Sequence, residues 1–420
     1  MTFDQKSLFT TNHLICGDNL ETLPTITSDS IDLIYIDPPF FSNRNYEIIW
    51  GDEAEVRSFE DRWEGGINVY IDWMKQRVME LHRVLKPTGS MYLHCDWHAG
   101  HYLKVMIDEV FGYNNFQNEI VWYYRGGGVS KERFGRRHDT IFFYTKGNKW
   151  SFNPDEIRTP YSEESLERLK YKARAFRGDK VYDTYEPNPK GKHPDDVWEM
   201  QPIMPSAKER LGYPTQKPEA LLDRILKASS NKGDLVLDAF CGCGTAMAVA
   251  HKLGRRWIGI DISPSAIALV KKRLSSLGVS EGVNMTVVGM PKKIDDLRHF
   301  KPFEFQYWII NEMYGSPSPR KVGDMGIDGF SFMEHHPIQV KQSEGVGRNV
   351  IDNFETALRR HYGTKTKCMK GHIVAFSFGK GAYEEVSRAK KDGMEIHLVT
   401  VQDILDKKIQ PAIEKCKDLF

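Results

Sequence analysis

The sequence has almost no net charge, because its 420 residues include 58 Lys and Arg against 57 Asp and Glu. This excludes a globally basic nucleic-acid-binding protein, and binding to a polyanion would need a local basic surface. No uninterrupted apolar run approaches the ~20 residues of a membrane-spanning helix, and residues 1–6 lack the apolar core of a signal peptide. Six cysteines are too few for a disulfide scaffold and favour a reducing compartment. We therefore expect a cytoplasmic protein without a membrane partner, built from two or three domains of ~100–200 residues.

Chemistry is first indicated by Asp37-Pro38-Pro39-Phe40, a tetrad that follows the apolar, strand-like run 31–36. The amino group of a nucleobase is a poor nucleophile, and acceptors that hold both of its N–H bonds would help it to react. The Asp37 carboxylate and the Pro38 carbonyl can be these acceptors, and the paired prolines keep them in place. Phe40 offers a flat face to a base extruded from a duplex. An Asp-Pro-Pro turn that simply ends a strand is the alternative interpretation.

A second motif, Phe240-Cys241-Gly242-Cys243-Gly244, follows the apolar run 235–238 and precedes a helix that should begin near Thr245. Glycines at this spacing let a backbone approach a nucleoside-like ligand closely. A further strand, 256–261, ends in Asp261, close to the ~20-residue spacing expected for a carboxylate that binds ribose hydroxyls. No Walker-type lysine follows the glycines, which argues against a triphosphate. The two cysteines lack a second pair, so a zinc site is disfavoured.

Together these motifs resemble the permuted, beta-class amino-methyltransferases of DNA, in which the catalytic half precedes the cofactor half. The resemblance covers residues 13 to about 285. It implies an α/β fold with a Rossmann-like, S-adenosylmethionine-dependent methyltransferase sheet, an inserted target-recognition region and a smaller C-terminal α/β domain. The matching stretches, in family order, are 17–20, Asp37 to Phe40, 85–89, 138–141, 215–218 and Phe240 to Gly244.

The resemblance also implies a role for each matching residue. Asp37, Pro38, Pro39 and Phe40 would hold and stack the target base. A lysine beside Pro218 suits an anionic group, because a helix that starts there leaves N–H groups unpaired. A solvated surface lysine and a turn residue are the alternatives for Lys217 and Asp18, respectively. The predicted cofactor-binding residues are Asp18, Thr215, Lys217, Asp238, Phe240, Gly242, Gly244 and Asp261.

The implied reaction transfers a methyl group from S-adenosylmethionine to an exocyclic amine in double-stranded DNA. Aspartate in the first position of the tetrad favours adenine N6, whereas cytosine-N4 enzymes more often have serine there. A cognate restriction endonuclease and a second copy of the chain, as a homodimer, are further candidate partners. Methylation of RNA or of a protein glutamine is the rival reaction, although those enzymes usually have asparagine in place of Asp37.

The composition changes at residues 118–212, where aromatic and basic side chains are interleaved. Such interleaving suits contacts to phosphates with occasional contacts to base edges, and glycines 126–128 would allow a loop to order on DNA. A solvated helix face is the alternative for 163–177, where glutamates dilute the positive charge. We therefore predict a target-recognition region whose DNA-binding residues are Arg125, Lys131, Arg133, Arg136 and Arg137.

The C-terminal residues 296–420 exceed what a methyltransferase core needs. Asp328 precedes an apolar strand with Gln339 and Lys341, whose side chains share one face because they are two residues apart. This arrangement resembles the Mrr-like branch of restriction-endonuclease folds, with Gln in place of the usual acid. Mg²⁺ is implied only if the domain is an active nuclease, and a bifunctional restriction–modification protein is then the alternative function. A domain that no longer cleaves but helps to hold DNA fits equally well.

These patterns divide the chain into four parts. Within the first of them, 69–85 predicts an amphipathic helix and 91–96 a strand. His94, His98 and His101 fall at the end of that strand, where their spacing disfavours a metal site. The parts are a catalytic half (1–117), the inserted recognition region (118–212), a cofactor-binding half (213–290) and a restriction-endonuclease-like domain (296–420).

Overall fold

The structure of the chain is a computed structural model with two mixed α/β units, one around a nine-stranded sheet and one around a five-stranded sheet. Within the residues that it describes, no helix combines the length and the apolarity that crossing a membrane requires. The described residues are 11–41, 66–126, 131–170, 175–177, 180–182, 188–204, 206–211, 213, 215–300, 302–313, 315–318, 326–331, 335–363 and 369–406.

Strands and helices alternate along most of the described chain. The strands are β1 (Asn12–Cys16), β2 (Ile31–Ile36), β3 (Leu85–Cys95), β4 (Phe116–Tyr123), β5 (His138–Thr145), β6 (Ala175–Arg177), β7 (Lys180–Tyr182), β8 (Val197–Glu199), β9 (Leu235–Asp238), β10 (Arg256–Asp261), β11 (Met285–Val288), β12 (Gly315–Pro317), β13 (Gly329–Ser331), β14 (Pro337–Lys341), β15 (Met369–Ala375) and β16 (Met394–Thr400). The α-helices are α1 (Asn19–Thr22), α2 (Ile67–Val84), α3 (Gly100–Phe111), α4 (Glu163–Lys170), α5 (Glu219–Ser229), α6 (Thr245–Lys252), α7 (Pro264–Ser275), α8 (Ile294–Arg298), α9 (Pro302–Glu312), α10 (Arg348–Tyr362), α11 (Lys380–Lys391) and α12 (Val401–Leu405).

The larger sheet has the strand order β11-β1-β10-β9-β2-β3-β5-β4-β8. All neighbours from β11 to β3 pair in parallel, whereas β5 is antiparallel to both β3 and β4. β2 and β9 are almost continuous buried runs, as parallel strands that are covered on both faces must be. The predicted Rossmann-like α/β sheet is confirmed.

Helices cover both faces of this sheet. Successive residues of β2 point to opposite faces, so Ile34 packs in a buried cluster with α2 and α3, whereas Leu33 packs in a second cluster with α5, α6 and α7. The sheet is therefore the middle layer of three, and its strand ends are the positions from which loops can form a site.

Part of the predicted recognition region belongs to this sheet. β4, β5 and β8 extend it beyond β3, and Ile120 of β4 and Ile141 of β5 lie in its core. The predicted boundary between 117 and 118 falls inside β4, because this antiparallel pair is needed to complete the core. The predicted recognition region is therefore continuous with the larger sheet, and within it β6 and β7 pair as a separate two-stranded sheet.

The described residues from 294 onward form the second, smaller unit. Its sheet has the order β12-β13-β14-β15-β16, antiparallel from β12 to β14 and parallel from β14 to β16. α9 and α12 pack on one face with Ile338 of β14, whereas α10 and α11 pack on the other with Ile373 of β15. A C-terminal α/β unit was predicted, and it is present.

Candidate active site

The two sequence motifs lie side by side at the carboxyl-terminal ends of two central strands of the larger sheet, here called the carboxyl edge. β2 and β9 are parallel neighbours, with Leu33 beside Val236. The chain therefore leaves both strands at the same edge, the carboxyl edge, at which open α/β sheets bind ligands. Asp37 follows β2 and Asp238 ends β9, so the predicted catalytic tetrad and the predicted cofactor turn begin side by side.

Asp37 is held by Lys217. The Oδ2 atom of Asp37 lies 2.5 Å from Lys217 Nζ, and both side chains are largely shielded from solvent. The same Nζ atom lies 5.2 Å from the centre of the Phe40 ring, within the range of a cation–π contact. Lys217 was predicted to bind the cofactor, and in this structure it contacts the tetrad. It therefore connects the two halves of the site.

His94 lies beside the tetrad and was not predicted as a catalytic or cofactor-binding residue. It is fully buried, and its Nδ1 atom lies 3.0 Å from the Tyr35 hydroxyl and 4.0 Å from Asp37 Oδ1. Its Nε2 atom lies 3.3 Å from Asp139 Oδ2, and its ring centre is 5.8 Å from that of Phe40. The sequence signal was a histidine near the end of the apolar run of β3, because a buried polar side chain needs hydrogen-bond partners.

Burial and neighbouring charges set the ionisation of these groups. Burial alone raises the pKa of Asp139, but the hydrogen bond and charge of His94 outweigh it, together with the charge of Lys217 and a hydrogen bond from Tyr124. The pKa of Asp139 is therefore lowered, and the group is a carboxylate at neutral pH. Burial raises the pKa of Tyr35 well above its usual value, and nearby carboxylates raise it further. Tyr35 is therefore a neutral hydroxyl beside the imidazole of His94.

Residues 240–244 form the turn between β9 and α6. Gly242 and Gly244 have φ angles of 48° and 77°, in the left-handed region that favours glycine. The turn is fixed by Asp261, whose Oδ2 atom accepts a hydrogen bond from the Gly242 N–H at 2.8 Å. Its Oδ1 atom accepts one from the Ser263 N–H at 2.9 Å. Asp261, predicted to bind a ribose, therefore orders both this turn and the start of the segment that follows β10.

The carboxyl groups at this edge are crowded. Asp238 is 4% exposed and accepts a hydrogen bond from the Phe240 N–H at 3.1 Å. Burial raises the pKa of Asp238 well above its usual value, and the charges of Asp37 and Asp261 raise it further. Burial also raises the pKa of Asp261. A ligand with positive charge would reduce the repulsion among these groups and would therefore be favoured here.

Asp18 caps α1, and its Oδ1 atom accepts a hydrogen bond from the Leu20 N–H at 2.8 Å. Arg77 donates to both oxygens of Asp18, at 2.8 and 3.0 Å, and also to Asn19 Oδ1 at 2.6 Å. The amide group of Asn19 donates to the Ala239 carbonyl at 2.8 Å, beside the predicted cofactor turn. The predicted contact of Asp18 with the cofactor remains a prediction. Arg77 and Asn19, which were not predicted, fix its position.

Thr215, the last of the predicted cofactor-binding residues, lies before α5. Thr215 is exposed, and Pro218 is the N-cap residue of α5. The Glu219 N–H, the first of this helix, donates to Glu209 Oε2 at 3.0 Å. A carboxylate of the chain itself therefore occupies part of the predicted anion site at this helix start.

The five predicted DNA-binding residues lie between β4 and β5. Tyr123 pairs with His138, and Cys95 at the end of β3 pairs with Thr140. The connection 124–137 therefore emerges at the carboxyl edge of β3, the same edge that bears Asp37. Gly126 lies within the described residues, whereas glycines 127 and 128 lie outside them.

Four of these five side chains are exposed, and Arg137 is half-buried. Arg125 forms an ion pair with Glu199 at 2.6 Å. The guanidinium of Arg136 lies 3.4 Å from the centre of the Trp97 ring. The loop therefore presents a local basic surface. A chain with near-zero net charge needs such a surface to bind DNA.

The three residues of the predicted nuclease-type site lie at two neighbouring strands of the second sheet, Asp328 just before β13 and the other two on β14. Asp328 precedes β13, and its Oδ2 atom accepts a hydrogen bond from the Val340 N–H of β14 at 2.7 Å. Gln339 is 3% exposed, and its Oε1 atom has no hydrogen-bond partner in the described part of the chain. Lys341 ends the same strand.

Other clusters of metal-binding residue types are explained by internal pairing or burial. Cys241 and Cys243 are buried free thiols in the cofactor turn. Among the described residues, Asp352, Glu355 and Glu385 are close enough to share an ion. Arg388 forms ion pairs with both of the glutamates and offsets their charge.

Comparison with known proteins relates this site to a family. A model of the DNA methylase family matches residues 31–272, more than half of the chain, and a model described as a methyltransferase domain matches residues 230–417. The Type II methyltransferase M.HpaI of Haemophilus parainfluenzae is 34% identical over 264 residues, 63% of this chain and 74% of that protein. The DNA adenine methyltransferase YhdJ of Escherichia coli strain K12 is 34% identical over 267 residues, 62% of this chain and 82% of that protein.

Among solved structures, the cytosine-N4-specific PvuII DNA methyltransferase aligns with a TM-score of 0.45 at 19% identity, over 65% of this chain and 89% of that one. The matched residues 31–272 contain both the tetrad after β2 and the glycine turn after β9. The chain therefore belongs to the DNA methylase family and is a DNA methyltransferase.

Proposed function

We propose that the protein transfers a methyl group from S-adenosylmethionine to the N6 atom of adenine at a specific site in double-stranded DNA. The adjacency of Asp37 and Asp238, at the ends of the neighbouring strands β2 and β9, carries this proposal. The first motif offers acceptors for an amine and the second offers a turn for a nucleoside cofactor. The two reactants would therefore meet at one edge of the sheet.

The residues at this edge fit S-adenosylmethionine. Positive φ angles at Gly242 and Gly244 let the turn approach a ligand closely. Burial raises the pKa values of Asp238 and Asp261, and the ammonium and sulfonium groups of the cofactor would favour the charged forms of these carboxyl groups. Asp238 and Phe240 would line its methionine end, and Asp261 its ribose. When bound, it supplies the methyl group.

The chain itself orients the amine. Asp37 would accept one N–H of the target amine and take up its proton as the bond from nitrogen to the methyl carbon forms, while the Pro38 carbonyl accepts the other N–H. Phe40 would stack on the extruded base. Lys217 Nζ, 2.5 Å from Asp37 Oδ2, holds the carboxylate in position. The target amine would then take the place of this lysine as the hydrogen-bond donor to Asp37. The rate gain would come from positioning and from acceptors placed where positive charge develops on nitrogen.

Two observations favour adenine over N4 of cytosine. The tetrad begins with Asp37, and one relative that is 34% identical is a DNA adenine methyltransferase. Cytosine N4 is the alternative, because its amine would need the same acceptors.

As its relatives M.HpaI and M.BglII are Type II methyltransferases, the protein would protect DNA beside a cognate restriction endonuclease.

Incubation of unmethylated genomic DNA with the protein and S-adenosylmethionine, followed by single-molecule sequencing, tests this proposal. We expect N6-methyladenine at one short motif. Asp37→Ala should retain cofactor binding, measured by calorimetry, and lose at least ~10²–10³-fold in methylation rate. Asp223→Ala, which removes a half-buried carboxylate that pairs with Lys227 on α5, is the matched control and should methylate normally. Normal methylation by Asp37→Ala would exclude the proposed role of Asp37. Detection of N4-methylcytosine instead of N6-methyladenine would show that cytosine is the target base.

A second candidate function, DNA cleavage by the C-terminal unit, is favoured by one observation. The Oε1 atom of the buried Gln339 has no hydrogen-bond partner among the described residues, one strand from Asp328. Such an oxygen could coordinate a cation, and Lys341 follows on the same strand. The match of a methyltransferase-domain model to residues 230–417 favours a supporting role instead. Cleavage that requires Mg²⁺ and is lost in Lys341→Ala would establish a nuclease, whereas uncut DNA would exclude it.

A further inference from the structure

Phe134 lies at the exposed end of the loop between β4 and β5. Its side chain is 98% exposed, the highest value among the large apolar side chains of the described residues. A single exposed apolar residue is ordinary on a protein surface. The surroundings of Phe134 are not, because its sequence neighbours are Arg133, Gly135 and Arg136, with Lys131 nearby. An aromatic side chain flanked by cations is typical of surfaces that contact nucleic acids.

The loop is directed by the sheet toward the catalytic edge. Its C-terminal end enters β5 at His138, and the next residue, Asp139, lies 3.3 Å from His94. His94 in turn lies 4.0 Å from Asp37. Phe134 is five residues before Asp139, so it can extend at most ~17 Å from it. This distance corresponds to about five base-pair steps of ~3.4 Å, so one bound duplex can contact both Phe134 and the tetrad.

The C-terminal part of the loop is anchored to the segment that follows β3, at the same side of the sheet. The guanidinium of Arg136 lies 3.4 Å from the centre of the Trp97 ring, and Trp97 follows β3 by two residues. The ring of Trp97 also lies 3.7 Å from that of His98, and His98 forms a hydrogen bond with Asp96. The segment of the loop next to Phe134 is therefore held in place by these contacts, although the Phe134 ring itself is exposed. The Phe134 side chain is therefore accessible to a partner that binds at this side of the sheet.

We propose that Phe134 inserts into the DNA duplex beside the target and fills the space that the extruded base leaves. Extrusion removes stacking and pairing worth a few kcal/mol, and apolar wedges that enter between base steps replace part of that stacking. Arg133 and Lys131 would contact the phosphates on either side. The inference rests on the proposed function, because a methyltransferase that extrudes no base has no such space to fill.

A pair of matched duplexes separates insertion from general DNA binding. Both contain the motif found on genomic DNA, one with a normal pair at the target and one with an abasic site opposite it, where no base pair has to be broken. Methylation rates at saturating protein are measured with radiolabelled S-adenosylmethionine. Extrusion is followed separately by the fluorescence of 2-aminopurine at the target position.

We expect Phe134→Ala to slow methylation of the paired duplex by ~10–100-fold and to reduce the fluorescence increase, with a loss below ~3-fold on the abasic duplex. Phe134→Trp should restore the rate, because tryptophan can also stack. Tyr113→Ala, which removes an exposed aromatic side chain before β4 at the opposite edge, should match the wild type on both duplexes. Because Phe134 is almost fully exposed, none of these variants should unfold.

Three outcomes would overturn the inference. Wild-type rates of Phe134→Ala on the paired duplex would show that no insertion is needed. An equal loss on both duplexes would mean that the contribution of Phe134 does not depend on breaking a base pair. A change in oligomeric state, detected by light scattering, would assign the residue to a contact between two copies of the chain. If the wild type methylates neither duplex, the proposed function fails, and the role of Phe134 falls with it.

Discussion

The carboxyl group of Asp238 lies at the end of β9, 4% exposed, and accepts a hydrogen bond from the Phe240 N–H. Burial raises its pKa. A group whose pKa is raised by folding stabilises the fold fully below its unfolded pKa of ~3.9 and loses that contribution as pH rises through the folded value. Asp238→Asn stays neutral and can still accept the Phe240 hydrogen bond. We therefore expect its thermal midpoint to exceed that of the wild type by a few degrees at pH 8 and by less toward pH 4.

Thermal unfolding between pH 4 and pH 8 measures this difference, with Asp223→Asn as the control for loss of a surface carboxylate. Cofactor affinity should fall in Asp238→Asn because a cationic ligand loses a charged partner. A stability gain with lost binding is the trade-off expected of a functional group in an unfavourable environment. A midpoint that is equal to or below that of the wild type at pH 8 would contradict the sign of the effect.

At the scale of elements, the turn between β9 and α6 depends on Gly244. Its φ angle is 77°, and a Cβ atom would lie 2.9 Å from the side chain of Val270 on α7. Gly233 also has a positive φ angle, 89°, but a Cβ atom there would meet nothing within 4 Å. We expect Gly233→Ala to lower the free energy of unfolding by ~1–2 kcal/mol through backbone strain alone, and Gly244→Ala by at least ~1 kcal/mol more through overpacking.

Urea unfolding of both variants measures the two contributions separately. Gly244→Ala should also weaken cofactor binding, whereas Gly233→Ala, which lies at the opposite end of β9, should not. Adding Val270→Ala to Gly244→Ala should recover part of the lost stability, because it removes the atoms that clash. Equal losses in the two glycine variants would show that backbone strain is the whole effect.

Elements whose boundaries are set locally were predictable from the sequence. β2, at 31–36, and β9, at 235–238, agree with their predicted ranges, because turn residues bound each apolar run. The helix predicted at 69–85 spans 67–84. Pairings that join distant residues were not predictable: His94 meets Asp139 only because β3 pairs with β5, and Arg77 meets Asp18 across 59 positions. Apolar periodicity indicates which side chains are buried, but it does not identify their partners.

At the scale of the whole molecule, the buried cores separate near residue 291. Buried residues of the two clusters around the larger sheet come from positions up to 285, and those of the two C-terminal clusters from 297 onward. Among the described elements, α9 packs against α7 and so joins the two units. Because each unit has its own core, we expect calorimetry to show two unfolding transitions for the full chain.

A chain that ends at Met290 should keep the single transition of the larger unit and should still methylate DNA, because the tetrad, the glycine turn and the loop with Phe134 all lie before that residue. A ligand that binds the folded state raises its unfolding temperature. S-adenosylmethionine should therefore raise the temperature of one transition in the full chain, the one that the shortened chain retains. One cooperative transition in the full chain, or loss of methylation in the shortened chain, would show that the contact of α9 with α7 stabilises the catalytic unit and that the C-terminal unit is required for the reaction.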